Sequence, residues 1–268
     1  MPNWSKLKNL SFHPKFAAAL DATLSGVMVW WLTILPNWWY MLVWFAFRLV
    51  LWLLLVRVVY YPPEASRRRH FLTLGIFGLG LILFLLFMEW PWTWYFFSFI
   101  FIVCPAVSFW LLPTKEGMLS FAGKPHRRWL FFMDVLGLAG VWTGLGAIWS
   151  FQLFSGITKW PYLIFGTLLT SLVSQAWWLE YRLEKNRRFW QALALLSLIV
   201  LQLSWIVFLW PIGYLVAGLF ITWLWYLAWL ILRFHLSPEG IVWRKQLPFL
   251  IINIILIAVY LSWFVRWK

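Results

Sequence analysis

The 268-residue chain is 64% hydrophobic and only 11% charged, and its 26 tryptophans and 25 phenylalanines exceed what a soluble core of that size could hide. A formal charge of +14 would in a soluble protein indicate nucleic acid, but the charges sit in short segments between apolar runs, a topology signal that removes nucleic acid as a partner. The single cysteine, Cys104, lies inside an apolar run, so neither a disulfide framework nor a thiolate metal site is available.

Crossing a hydrocarbon layer of about 30 Å at 1.5 Å per residue takes about 20 residues of helix. By that ruler the expected fold class is all-α: a polytopic transmembrane helical bundle of about nine spans with short loops. The spans fall at 16–35, 38–60, 71–89, 92–112, 129–150, 160–180, 190–209, 211–232 and 248–265. The basic stretch Met1 to Lys15 leads into the first of them. No small-residue cleavage site follows that span, so it is expected to be retained and not removed as a signal peptide.

Between the second and third spans lies a hinge, Tyr61 to His70, whose Arg67, Arg68 and Arg69 are expected in a cytoplasmic loop. That assignment places the N-terminus in the cytoplasm and the C-terminus outside. Most of the 22 lysines and arginines then lie inside, with Lys159, Arg266 and Lys268 as the exceptions outside. The predicted outer turns carry the aromatic residues of an interfacial belt, including Trp38, Trp39, Trp90, Trp92, Trp160 and Trp210. Three turns contain Trp-Pro, at Trp90, Trp160 and Trp210, where proline suits a first helical turn because its missing donor would be unpaired there anyway.

The chain reads as a single membrane domain over 1–268 in a cell (inner) membrane. A pattern of His, a basic residue, an aromatic and Asp recurs at His13–Asp21 and His126–Asp134. It raises an internal duplication of 13–125 on 126–243, with the ninth span added at 248–265. Small residues at Ala18, Ala22 and Gly26, and again at Gly137, Gly140 and Gly144, prepare the first and fifth spans for close helix contacts.

Ionisable groups inside spans mark a packed or watery interior. Asp21 and Asp134 each lie about 8 Å inside the cytoplasmic end of a span, and an ion pair of either with Arg57 is expected. Arg48 falls roughly 18 Å from the inner end of its span and needs partners at its own depth. The sixth span offers a one-faced polar stripe, Thr167, Thr170, Ser171, Ser174 and Gln175, and the seventh offers Gln202. The candidate binding residues are therefore Arg48, Thr167, Thr170, Ser171, Ser174, Gln175 and Gln202, with Asp21, Arg57 and Asp134 as the proton or ion-pair set.

His13, His70, His126 and His235 lie at the inner boundary without a metal-ligand spacing. No nucleophile elbow or phosphate loop appears, and nothing in the sequence names a cofactor. The expected partners are membrane lipids and other membrane subunits. Three functions fit: a small-molecule or lipid transporter in which Arg48 holds an anion and an aspartate exchanges protons, a non-catalytic scaffold or accessory subunit, and an intramembrane lipid-modifying enzyme. The first is favoured, because a mid-depth arginine opposite the five-residue polar stripe of the sixth span exceeds what packing requires.

Overall fold

The computed structural model describes residues 13–34, 38–59, 67–112, 124–156, 158–181, 183–210, 212–237, 240–241 and 243–264. Within them the chain is helical: α1 Pro14–Ile34, α2 Trp38–Val58, α3 Arg67–Leu85, α4 Pro91–Trp110, α5 Lys124–Ser155, α6 Lys159–Glu180, α7 Arg187–Phe208, α8 Tyr214–Leu236 and α9 Trp243–Phe264. Seven of these, α3 to α9, are long and apolar enough to cross a membrane. These seven are counted among the described residues, and each coincides with one of the expected spans. The other two, α1 and α2, are also apolar helices of 21 residues each, and they carry Asp21, Arg48 and Arg57.

The arginine triplet departs from its expected place. Arg67 to Arg69 open α3 instead of lying in a loop, and Arg69 and His70 are buried. Cations at the positive end of a helix dipole are unfavourable, so this start depends on a compensating partner. The partner is Asp134, described below. The tail Arg266 to Lys268 and the hinge residues Pro62 to Ser66 lie outside the described residues.

Two compact units divide the chain, 1–140 and 141–268. In the first, α1 packs chiefly on α4, and α2 packs on α3. Buried Pro14, Ala17, Ala18, Asp21, Ser25 and Met28 form one stripe of α1, and Phe45, Arg48, Trp52, Leu55, Val56 and Val59 form one stripe of α2. Their three- and four-residue spacing is the period of one helix face, and each stripe places a single charge among apolar neighbours. The close contact prepared by small residues appears at Gly140, whose added Cβ would stand 2.7 Å from Phe77 Cα of α3. Gly26 has nothing within 4 Å of the same position.

In the second unit α7 packs on both α6 and α8. Gly218 of α8 sits against Gly146, whose main-chain nitrogen lies 2.8 Å from an added Cβ. The C-terminal helix α9 is the least covered, with 6% of its apolar window buried. It is tied to α8 through Trp223 Nε1, which donates to Asn253 Oδ1 at 2.8 Å, and through Tyr260, which donates to Val216 O at 3.2 Å. Pro91 occupies the first turn of α4 after Trp90, and Pro161 the first turn of α6, as expected of the Trp-Pro turns. Pro211 is outside the described residues.

Candidate functional site

Arg48 stands at the middle of α2, about 15 Å from either end of the helix. Its side chain is 1% exposed, and Asp21 of α1 is 0% exposed, so neither charge reaches solvent. Charges buried this deeply are tolerable only when paired and hydrogen-bonded. Arg48 Nη2 donates to Asp21 Oδ2 at 3.0 Å and lies 2.9 Å from Oδ1. Trp52 Nε1 donates to Oδ1 at 2.7 Å, one helical turn beyond Arg48 on the same face. Ser25 bonds the main-chain carbonyl of Asp21 at 2.6 Å. The guanidinium also lies over the rings of Trp52 and Phe101, with centroids 4.9 and 5.2 Å from Cζ. Such contacts are cation–π interactions and supply no hydrogen-bond acceptor to the N–H groups along its edge.

The edge is incompletely used. Arg48 Nε and Nη1 are buried without a hydrogen-bond partner among the described residues, and so is Ser98 Oγ on α4. Each unmet donor costs roughly 1–3 kcal/mol when buried.

Asp134 has a different neighbourhood. It pairs with Arg69 of α3 and its side chain is 30% exposed. Arg57, expected to pair with one of the aspartates, is exposed instead. It falls off the buried stripe of α2 that carries Arg48 toward Asp21. Beside Asp134's partner, His70 Nε2 lies 2.7 Å from Ser108 Oγ, and Trp129 donates to Ser108 O at 3.1 Å. The His70 and Ser108 pair resembles a base with a nucleophile. However, the serine hydroxyl donates to Pro105 O at 2.6 Å, which makes His70 the donor, and both side chains are fully buried. The pair ties α3 to α4.

The polar stripe of α6 belongs to the second unit. Thr167, Thr170, Ser171 and Ser174 each donate to a main-chain carbonyl one turn back, the usual way for a helix to satisfy hydroxyls in an apolar setting. Two of them also reach a neighbouring helix: Ser171 Oγ lies 2.7 Å from Ser197 Oγ of α7, and Trp225 Nε1 of α8 donates to Ser174 Oγ at 2.9 Å. Gln175 is half-buried and Gln202 is exposed. Replacing Ser174 by alanine should strip Trp225 of its acceptor and lower stability by about 1 kcal/mol, read from thermal unfolding in detergent.

Sequence reasoning missed Trp52, Ser98, Arg69 and Phe101. The signal for Trp52 was present, since Phe45, Arg48, Trp52 and Leu55 repeat at alternating three- and four-residue steps. That repeat marks the α2 face on which any partner of Asp21 must lie. No group of three or more metal-ligating side chains occurs among the described residues. No protein-family model matches the chain, and neither a curated protein nor a solved structure is significantly similar to it.

Proposed function

We propose that the chain is a multi-pass membrane protein that moves or holds a small anionic molecule or lipid, with Arg48 as the anion-holding group and Asp21 as its exchangeable counterion. The observation that carries this reading is the open N–H edge of an arginine with 1% exposure at mid-helix. A ligand anion arriving at Arg48 releases Asp21, which takes a proton, and net charge in the site is conserved. Asp134 is assigned a fastening role, since its partner Arg69 sits at a helix start and not at mid-depth. The α6 hydroxyls are assigned to helix packing.

Proteoliposomes loaded with a pH-reporting dye test this directly. A jump of external phosphate, methanesulfonate or glutarate should acidify the lumen with the wild-type protein for at least one anion. The D21N/R48Q protein should stay silent. Equal signals from both proteins would defeat the reading.

A second reading, a scaffold or accessory subunit, is favoured by one observation. Helix α9 exposes Ile251, Ile252, Ile254, Ile255, Val259 and Trp263 along most of its circumference. The native mass of the purified protein in detergent separates the two: a stoichiometric second subunit on α9, together with silent proteoliposomes, selects the scaffold. For topology the proposal is nine crossings with the N-terminus inside, α1 and α2 crossing as a charge-paired hairpin. A reporter fused after Lys268 should then be active outside the cytoplasm, and cytoplasmic activity would remove one crossing.

A further inference from the structure

The chemistry left open around Arg48 narrows what can bind there. Nε and Nη1 present only N–H groups, so their missing partner is an acceptor. Ser98 Oγ, 3% exposed and likewise without a partner, lies on the same face of α4 as Phe101, one turn before it. The Phe101 ring in turn touches the guanidinium. With Asp21 taking a proton as the anion arrives, a monoanion leaves the site neutral, whereas a dianion leaves one charge uncompensated in a site with no solvent. The rings placed against the guanidinium are Trp52 and Phe101, both buried, and they favour an apolar body behind the charged head.

We infer that Arg48 and Ser98 form an intramembrane site for a monocarboxylate with an apolar tail. The carboxylate oxygens accept from Arg48 Nε and Nη1 and from the Ser98 hydroxyl, and the tail runs among the aromatic rings. This rests on the proposal that Arg48 handles an anion and adds the class of that anion. Two oxygens on one planar head suit a planar cation better than a single hydroxyl could, which is why the carboxylate is preferred over an alcohol of the same length.

The test is equilibrium binding of radiolabelled dodecanoate to the purified full chain in a neutral detergent, with dodecanol, dodecylammonium and inorganic phosphate as competitors. Saturable binding displaced by unlabelled dodecanoate, and not by the alcohol or the amine, is expected. S98A leaves the ion pair intact and should weaken affinity by roughly 5- to 10-fold, the equivalent of one hydrogen bond. D21N/R48Q removes both charges together, leaves no bare ion to unfold the protein, and should abolish competable binding. Displacement by all three tails alike, or binding untouched in both variants, means simple partition of the tail and overturns the inference. Displacement by phosphate overturns the tail requirement. A density map at saturating dodecanoate with ordered waters alone on Nε and Nη1 also overturns it. If dodecanoate fails to bind while one of the small anions drives Arg48-dependent acidification, the assignment to a tailed monocarboxylate falls and the anion reading stands.

Discussion

Replacing Arg48 by leucine should lower the unfolding free energy by about 3–5 kcal/mol, and replacing Asp21 by leucine should cost a similar amount. In either single variant the surviving charge is buried at 0–1% exposure with its ion partner gone. The double variant D21L/R48L leaves no charge and should recover most of the loss, because a buried pair roughly balances its own desolvation against its attraction. A double-mutant cycle read by denaturant unfolding in mixed micelles gives the coupling, and losses that simply add would show that the pair does not interact as the geometry requires. Trp52→Phe offers a graded check. It removes one donor to a charged oxygen at 2.7 Å, worth about 1.5–3 kcal/mol, and keeps the ring against Arg48.

The two aspartates also show how far the sequence could be read. Both were visible as acids inside apolar runs, and both prove to be paired. The choice of partner was not visible, for different reasons in the two cases. Arg48 was identified as the deepest cation, yet only the register of α1 against α2 reveals that its stripe faces the Asp21 stripe. Arg69 was assigned to a loop because the arginine triplet lies in a short basic hinge between two apolar runs. A helix start there also runs against the local preference, since cations at the positive end of a helix dipole are unfavourable. Tertiary pairing with Asp134 outweighs that preference and lets α3 start at Arg67. The apolar runs themselves were legible, since hydropathy needs only composition and length. Their ends were less so: α5 extends over 32 residues, from Lys124 to Ser155, because nothing in the sequence breaks the helix at the predicted membrane boundary. The α6 hydroxyls were legible as a face, but a helix can satisfy them with its own carbonyls, so the same pattern serves packing as readily as binding.

The glycines divide by what a methyl group would strike, and that division gives the second large expected effect. At Gly140 an added Cβ would lie 2.7 Å from Phe77 Cα and 2.8 Å from Phe77 N, and at Gly218 it would lie 2.8 Å from Gly146 N and 2.9 Å from Gly146 Cα. Both collisions are with main chain of a neighbouring helix segment, which cannot rotate out of the way. Relief requires moving one helix off the other, with loss of packing along the whole contact. Gly140→Ala and Gly218→Ala should each cost about 1–3 kcal/mol or more, with a clear fall in apparent Tm in detergent. Gly26→Ala supplies the control, because nothing lies within 4 Å and the substitution gains about 0.5–1 kcal/mol of helix propensity. Gly78 is the informative intermediate. Its Cβ would meet the far edge of the Trp52 ring at 2.6 and 2.8 Å, so Gly78→Ala displaces the indole that donates to Asp21. The expected result is a loss near that of Trp52→Phe, small when combined with it, since both act through the same hydrogen bond. A combined loss equal to the sum of the two would show that Gly78 and Asp21 are not connected through Trp52.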